Sequence, residues 1–389
     1  MEGHRPEVAD VIRRCGSTFV RSHGASLCFE QRRALRDIAA CRSQALGGHK
    51  LRCDRCGHEK VCYNSCRNRH CPKCQAGARA QWLESRQQEL LDVPYFHVVF
   101  TLPEAVGRLA LQNKREVYGI LFRAAAETLQ ILGRDPKHLG AEVGFVAILH
   151  TWGQTLQHHP HLHCVVPGGG IRRQTRRWVA SRPGFFLPVR VLSRLFRSRF
   201  VAHLQQARDQ RQIRFHGQLT PLTDQHAWRQ WLRPLRSTPW VVYSKPPFGG
   251  ALQVLKYLAR YTHRTAISNG RLVAFDGIHV SFTWKDYAHD NRARTMTLDA
   301  TEFIRRFLLH VLPKGFVRVR YYGFLSNRDR KINLRLVRSL LEQAEPGGEL
   351  HAEHPSLDPP NCPACRNGRL IVFDAIPPGR TLPWLLDTS

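Results

Sequence analysis

The chain has 389 residues and a mass of 44.7 kDa, which is enough for two or three domains with a buried core. Hydrophobic residues make up 42% of the sequence, which excludes wholesale disorder. The 59 Lys and Arg residues against 30 Asp and Glu give a net charge of +29, which indicates a polyanionic partner such as nucleic acid. No apolar run is long enough to cross a bilayer and no secretory signal is present, so we expect a cytoplasmic protein.

A cysteine-rich segment follows a predicted helix at Phe29–Ile38. Cys53-x-x-Cys56 and Cys71-x-x-Cys74 are two knuckles, each able to place two thiolates on one shared tetrahedral zinc ion. Clustered cysteines in a cytoplasmic chain favour metal sites over disulfides, and buried thiols without a metal are the alternative. The spacing does not fix which cysteines share an ion. Surplus candidates for a second zinc ion are Cys41, His49, His58, Cys62, Cys66 and His70.

Two further candidate sites are present. One is a pair of arginines among the cysteines, and the other is a third cysteine knuckle near the C-terminus. Arg67 and Arg69 lie between the ligand candidates, so we expect them to contact DNA. The composition of Glu345–Pro360, rich in Pro, Gly and acidic residues, is typical of a linker. Cys362-x-x-Cys365 follows it. This pair completes a site with other cysteines, binds a metal weakly by itself or stays a free pair.

The region between the cysteine-rich segment and the tail alternates strand and helix patterns without an internal repeat. Strands are predicted at Tyr95–Thr101, Gly144–His150, His161–Pro167, Trp240–Ser244 and Phe316–Gly323, and a hairpin at Arg271–Lys285. Helices are predicted at Gln75–Leu91, Glu104–Leu132 and Ala251–Thr262, and on both sides of the last strand. The connector between the second and third strands is short, which predicts that they pair antiparallel.

Two histidines on the third predicted strand form a candidate metal site. His161 and His163 alternate with Leu162, so both imidazoles face the same side of the strand. Two imidazoles at this spacing can bind a divalent cation, and His150 at the end of the preceding strand can supply a third ligand if the strands pair. Competitors for that third place are Gln154, Gln157, His158 and His159. The alternative is a strand whose histidines make structural hydrogen bonds only.

A later helix carries two candidate nucleophiles. Tyr257 and Tyr261 are four residues apart and therefore share one helix face. Lys256, Arg260 and Arg264 form an adjacent cationic ridge, which suits DNA phosphates and favours ionisation of the phenols. A phenolate beside a metal-bound phosphate can act as a nucleophile. The alternative is an aromatic pair that packs in the core.

Taken together and in this order, these motifs resemble the two-tyrosine HUH transposases, the bacterial rolling-circle transposases of the IS-ninety-one family, which are related to Helitrons. The stretches that carry the resemblance are NSCRNRHCPKCQ (64–75), FTLP (100–103), HTWGQTLQHHPHLHCVVPGGG (150–170), WVVYSKPPFGG (240–250), YLARYTHRTAISN (257–269) and FIRRFLLHVLPKGFVRVRYYGF (303–324). The resemblance covers about residues 30–340 of the chain.

The resemblance implies an α+β fold, with an HUH/Rep-like central antiparallel β-sheet flanked by helices and preceded by a small N-terminal zinc-binding module. Residues 1–92 would form a helical and zinc-binding DNA-binding domain. Residues 93–345 would form the catalytic domain with a helical extension. Residues 346–389 would form a linker and the CxxC tail.

The resemblance also implies cofactors and a reaction. Zn²⁺ is structural, and Mg²⁺ or Mn²⁺ is held by His161 and His163. This ion assists attack of Tyr257 or Tyr261 on single-stranded DNA at the element ends. The attack gives a 5′-phosphotyrosine and a free 3′-OH before strand transfer to target DNA. Host replication or helicase factors are expected partners, no membrane partner is expected, and the protein is expected in the cytoplasm with the nucleoid.

Three other functions are compatible with the same residues. A plasmid relaxase or replication initiator would use the same chemistry on a different DNA. A non-catalytic zinc-finger DNA-binding regulator would use the histidines and tyrosines only in its structure, and it would form no covalent adduct with DNA. An inactive remnant of an element would keep the motifs without the activity.

Overall fold

A five-stranded antiparallel sheet forms the centre of the structure, a computed structural model that describes residues 5–75, 89–245, 265–286, 289–342 and 361–379. The strands are β1 (Gly48–Cys53), β2 (Glu59–Tyr63), β3 (Tyr95–Thr101), β4 (Phe145–Trp152), β5 (His158–Pro167), β6 (Gly169–Arg172), β7 (Arg177–Ala180), β8 (Val242–Lys245), β9 (Leu272–Phe275), β10 (His279–Asp286), β11 (Arg292–Asp299), β12 (Val319–Tyr322) and β13 (Leu370–Ile376). The α-helices of the described ranges are α1 (Val8–His23), α2 (Phe29–Ala40), α3 (Glu104–Gln112), α4 (Lys114–Arg134), α5 (Val189–Asp209), α6 (Gln225–Ser237), α7 (Ala300–Leu309) and α8 (Arg330–Leu340). These elements confirm the predicted α+β class, with antiparallel sheets flanked by helices.

The central sheet has the strand order β12-β4-β5-β3-β8, and every neighbouring pair is antiparallel. The predicted antiparallel pairing of β4 with β5 is therefore confirmed. Alternate residues of β5 face opposite sides of the sheet, so Leu162 and Cys164 lie on one face and His161 and His163 on the other. The register places His150 of β4 directly opposite His161.

Helices cover the face of the sheet that carries Leu162. Phe100, Leu162 and Cys164 are fully buried there, in one hydrophobic cluster with Phe196 of α5 and Trp228 of α6. Removing this apolar surface from water contributes about 25 cal/mol per Å² to the stability of the fold. The opposite face is the one that carries polar chemistry.

The N-terminal helices pack on a second part of the core. Ile12 and Phe19 of α1 and Leu35 of α2 are buried in one cluster with Phe282 of β10 and Phe303 of α7. β10 is the middle strand of a three-stranded antiparallel sheet with the order β11-β10-β9. The domain boundaries expected near residues 92 and 345 stay predictions, and this cluster shows that residues from both sides of the first one pack together.

Partly buried polar contacts connect α2 and α4 to the end of α7. The Gln31 side-chain amide donates to the carbonyl of Leu308 at 3.0 Å. The Lys114 ammonium donates to the carbonyls of Leu309 and Val311 at 2.7 and 2.8 Å. Burial lowers the pKa of Lys114 to about 8, and these carbonyls offset part of the cost of burying its charge. The end of α7 thus links α2 with the start of α4.

The described part of the tail forms an edge of the N-terminal sheet. β13 pairs antiparallel with β1, and β1 pairs with β2, which gives the strand order β13-β1-β2. The paired residues run from Gly48 opposite Ile376 to Cys53 opposite Leu370, with one irregularity after Lys50. Residues 361–379, which belong to the predicted C-terminal tail, therefore fold onto the N-terminal module.

The single helix predicted at Glu104–Leu132 is two helices, α3 and α4, that meet at Asn113. The Asn113 amide nitrogen donates to the carbonyls of Leu109 and Arg214 at 3.1 and 2.8 Å. Its amide oxygen accepts from the backbone N–H of Arg214 at 2.7 Å. A polar side chain thus bonds a distant segment at the junction of the helices, which apolar periodicity does not reveal.

Two other predicted helices, Gln75–Leu91 and Ala251–Thr262, fall almost wholly or wholly outside the described residues and stay predictions. Among the helices that are described, none combines the length and the apolar composition needed to span a membrane. The described helices instead bury one stripe of apolar residues, as α1 and α6 illustrate.

We expect Gly323→Ala to destabilise the protein by about 3 kcal/mol or more, and the matched control Gly315→Ala by about 1–2 kcal/mol. Both glycines have a left-handed backbone, with φ of 59° and 72°. A Cβ on Gly323 would also overlap the carbonyl of Val143, just before β4, whereas a Cβ on Gly315 meets open space. Urea unfolding followed by circular dichroism measures both changes, and equal destabilisation would contradict the close approach of Gly323 to the Val143 carbonyl.

Candidate active site and metal centres

Three histidines converge on the face of the central sheet opposite Leu162. The ring centroids are 5.5 Å apart for His150 and His161, 4.5 Å for His150 and His163, and 4.8 Å for His161 and His163. One ligand nitrogen from each ring lies within 4.8 Å of the others. The sheet thus brings together the predicted histidine pair and the residue expected to be the third ligand.

Hydrogen bonds and stacking orient these imidazoles. The Nδ1 of His161 donates to the backbone carbonyl of His159 at 2.6 Å, which fixes the proton on Nδ1 and leaves the Nε2 lone pair available to a ligand. The Nδ1 of His163 lies 2.8 Å from the Nε2 of His97 on β3. The His150 ring stacks on another aromatic ring, that of Trp152, at a centroid distance of 4.6 Å.

Burial disfavours the charged form of His161 and of its neighbour His97. It lowers the pKa of His161 to about 4, against the opposing effect of the hydrogen bond to the His159 carbonyl. Burial also lowers the pKa of His97 to about 4, and the nearby charge of Lys245 adds to that shift. Neutral imidazole is the form that binds metal ions. Three imidazole ligands fit Mn²⁺ better than Mg²⁺, because Mg²⁺ strongly prefers oxygen ligands.

Two predicted competitors for the third ligand lie elsewhere. The Nε2 of His158 lies 2.7 Å from the Tyr118 hydroxyl, with which it shares a hydrogen bond. His159 is exposed, and it contacts His161 through its backbone carbonyl. Neither belongs to the histidine cluster among the described residues. The geometry therefore favours His150.

The predicted nucleophiles and cationic ridge, namely Tyr257, Tyr261, Lys256, Arg260 and Arg264, lie outside the described residues. The described residues on either side of that segment are close to the histidines. Lys245, which precedes it, pairs in register with His97. Thr265, which follows it, lines a small cavity together with Trp152, the residue that stacks on His150. The chain thus leaves and rejoins the described structure next to His97 and Trp152, two residues that contact the histidine cluster.

Cys41, Cys66, Cys71 and Cys74 form one four-cysteine cluster. The Sγ atom of Cys74 lies 3.6 Å from those of Cys41 and Cys66, and the Sγ atoms of Cys41 and Cys71 are also 3.6 Å apart. Four thiolates around a zinc ion at about 2.3 Å would be about 3.8 Å from one another. The cluster therefore has the size and composition of a structural zinc site.

The other predicted knuckle belongs to a different cluster, which corrects the expectation that Cys53, Cys56, Cys71 and Cys74 share one ion. Cys53 and Cys56 lie beside Cys362 and Cys365 of the tail, in a second group of four. The physical reason is the sheet, because β1 carries its knuckle to β13 and away from Cys71. The tail pair therefore lies with other cysteines, in the arrangement that the first of its predicted alternatives requires.

Other predicted contacts of the cysteine-rich segment are placed differently. His70 lies outside both clusters, and its Nε2 accepts from the backbone N–H of Leu312 at 3.3 Å. Burial holds the pKa of His70 well below its ordinary value. The Arg69 guanidinium donates to the carbonyl of Phe316 at 2.7 Å, an interior contact that does not fit the predicted role in DNA binding. Arg67 is exposed, so its predicted contact with DNA stays a prediction.

Comparisons with known proteins agree with this arrangement. Residues 144–332 match the family described as "Putative transposase", and residues 11–102 match the family described as "Transposase zinc-binding domain". The chain is 54% identical over 384 residues to "Putative transposase y4qJ" of Sinorhizobium fredii (strain NBRC 101917 / NGR234), covering 95% of this chain and 96% of the relative. It is 29% identical over 372 residues to "Transposase for insertion sequence element IS801" of Pseudomonas savastanoi pv. phaseolicola, covering 90% and 84%. No solved structure matches the chain.

The chain joins a cysteine-rich N-terminal module to an antiparallel sheet with clustered histidines. Together with the matched families, this arrangement defines a DNA-processing enzyme of the transposase class. The chain belongs to the IS-ninety-one (IS91) family of insertion-sequence transposases. Its N-terminal region is the zinc-binding domain of that family, and the four-cysteine cluster at Cys71 supports structural zinc within it.

We expect Cys71→Ser to lose one bound zinc ion and to destabilise the N-terminal module, because zinc binding at such sites contributes directly to folding. Cys62→Ser is the matched control, since Cys62 lies on β2 outside both clusters and its variant should keep all of the zinc. Elemental analysis of the purified chain and thermal unfolding measure the two effects. Wild-type zinc content in Cys71→Ser would show that this cluster does not hold the ion.

Proposed function

We propose that the protein is a rolling-circle transposase that nicks and joins single-stranded DNA at the ends of its element, with Tyr257 and Tyr261 as nucleophiles. The observation that carries the proposal is the convergence of His150, His161 and His163 on one face of the central sheet. The tyrosine roles rest on the sequence motif. They are supported by the described residues that flank the tyrosine segment, because these lie next to His97 and Trp152, which contact the cluster.

The three imidazoles are the ligands that would hold a divalent cation, Mn²⁺ or Mg²⁺. When bound, the ion would polarise the scissile phosphate and offset the negative charge that develops on its oxygens. His161 and His163 are prepared for this role, because the contacts with the His159 carbonyl and with His97 restrict their protonation and ring orientation. In this proposal, residues 93–345 are the catalytic domain, residues 1–92 bind DNA and residues 346–389 are a linker and tail.

The proposed reaction is a transesterification on tyrosine. A bond forms between a tyrosine oxygen and the phosphorus, while the bond from phosphorus to the 3′ oxygen breaks. The phenol gives up its proton, and the 3′ oxygen takes up a proton and leaves as a 3′-OH. The 5′-phosphotyrosine keeps the energy of the phosphodiester, so rejoining needs no ATP. The second tyrosine can cleave another strand before the first link is resolved, which suits transfer from donor to target DNA.

The charge of the chain supports a DNA substrate. A net charge of +29, dominated by Arg, favours contacts with phosphates along a strand. The names of the relatives favour a transposase over a plasmid relaxase that uses the same chemistry. A zinc-finger regulator would bind DNA as well, but it would give no covalent product.

We expect wild-type protein, Mn²⁺ and labelled single-stranded DNA carrying the element end to give a covalent adduct on a denaturing gel. The adduct should disappear in the Tyr257→Phe/Tyr261→Phe double variant, because phenylalanine has no oxygen to attack phosphorus. Tyr243→Phe is the matched control. Tyr243 is exposed on β8, and it pairs with Val99, which in turn pairs with His163. The control should form the adduct at the wild-type level.

Each opposite outcome has a clear meaning. An adduct that persists in the double variant would exclude the tyrosine pair as the nucleophiles. An adduct lost in Tyr243→Phe would move the nucleophile to the edge strand. A wild-type protein that binds the DNA and forms no adduct would favour the zinc-finger regulator.

We expect His97→Phe to weaken Mn²⁺ binding by about 10–100-fold, because it removes the partner of the His163 Nδ1 and leaves the three ligands in place. His97→Gln should retain part of the affinity, since its amide oxygen can accept the same hydrogen bond. His159→Ala is the control, because the carbonyl that contacts His161 remains. Calorimetric titration with MnCl₂ measures all three affinities. A loss in His159→Ala equal to that in His97→Phe would make the His159 ring a ligand instead.

A further inference from the structure

We propose that Cys53, Cys56, Cys362 and Cys365 form a second zinc site, which ties the C-terminal tail to the N-terminal module. The matched zinc-binding domain ends at residue 102, so half of this site lies far outside it. The site is independent of the proposed DNA chemistry. It rests on four cysteine positions that the fold brings together from opposite ends of the chain.

The sulfur geometry fits a tetrahedral metal. The Sγ atoms of Cys53 and Cys365 are 3.6 Å apart, as are those of Cys56 and Cys362. These distances match the separation of about 3.8 Å that four thiolates adopt around zinc, given Zn–S bonds of about 2.3 Å. They are much longer than a disulfide bond of about 2.05 Å. Each contact joins one cysteine of the N-terminal module to one cysteine of the tail.

The two knuckles have the same backbone turn. In the first, the N–H of Gly57 donates to the carbonyl of Cys53 at 3.2 Å. In the second, the N–H of Arg366 donates to the carbonyl of Cys362 at 2.9 Å. Gly57 and Arg366 follow the second cysteine of their knuckles, and both have a left-handed backbone, with φ of 72° and 60°. The tail knuckle is therefore a structural counterpart of the N-terminal knuckle. Arg366 is not a glycine, so its left-handed backbone costs conformational free energy, which a tail without a role would not be expected to retain.

Backbone amides point at the sulfur atoms in both knuckles. The Cys53 Sγ accepts from the N–H groups of Arg55 and Cys56 at 3.4 and 3.5 Å. The Cys365 Sγ accepts from the N–H of Gly368 at 3.3 Å. Such bonds stabilise thiolates, the form of cysteine that binds zinc. A cation is needed in addition, because four thiolates at these distances repel one another.

Contacts around the sulfurs hold the knuckles in place. The N–H of Arg369 donates to the Asp54 carboxylate at 2.9 Å, and the N–H of Asp54 donates to the Arg369 carbonyl at 3.1 Å. A Cβ on Gly368 would overlap the Cys53 sulfur, so glycine permits the close approach. β13 then continues the contact by pairing along the whole of β1. The tail is thus docked on the side of the N-terminal module where its own two cysteines complete the site.

The test measures zinc bound to the full-length chain purified under reducing conditions. We expect two zinc ions in the wild-type protein, one for each four-cysteine cluster. Cys362→Ser/Cys365→Ser should lose one ion, and the matched Cys62→Ser control should lose none. Cys365→His should keep the ion, because three cysteines and one histidine also form a zinc site. Cobalt substitution supplies a second readout, since the absorption of tetrahedral thiolate-bound cobalt should fall by half in the double serine variant.

Two results would overturn the proposal. The first is a single zinc ion in the wild-type chain that Cys71→Ser abolishes, which can be measured even if the double serine variant fails to fold. The second is the mass of a disulfide, two hydrogens lighter, joining the tail to residues 53–56 in freshly purified protein. Loss of zinc in the serine variant together with retention in Cys365→His would establish that the tail supplies ligands rather than packing alone.

Discussion

The antiparallel pairing of β4 with β5 is the constraint on which the site depends. Side chains alternate along a strand, so a shift of one residue would turn His150 toward the helices and bring Leu149 to the histidine face. Two buried pairs hold the register, Leu149 with Leu162 and Ala147 with Cys164. Hydrophobic packing on one side of the sheet therefore positions the imidazoles on the other side. The helices that cover Leu162 therefore help to position the metal ligands, although they lie on the other side of the sheet.

The histidine cluster could be predicted from the sequence because the information for it is local. His161 and His163 share a face by strand alternation alone. The short connector between β4 and β5 makes these strands antiparallel neighbours, which places His150 opposite His161. The contact of His97 with this cluster could not be predicted by the same reasoning. Predicting its contact with His163 requires knowledge of the strand order in the sheet. One histidine on an apolar strand does not indicate that order.

The partition of the cysteines could not be predicted, for a related physical reason. Every knuckle has the same two-residue spacing, so nothing local distinguishes the partner of Cys53 from that of Cys71. The choice is made by the pairing of β1 with β13, across nearly the whole chain. The break at Asn113 cannot be predicted from local patterns either, because it depends on bonds to Arg214 in a distant segment. Local patterns identified the ligand types and most elements, and long-range pairing decided how they combine.

The pairing of β13 with β1 also bears on how the protein is made. The ribosome releases β1 long before β13, so one edge of the first sheet stays unpaired while the helices and the central sheet emerge. Completion of the N-terminal module therefore requires translation through the helices and the central sheet as far as β13. A product that stops before β13 keeps that edge open, and it differs from the finished enzyme at the end of the chain that was made first.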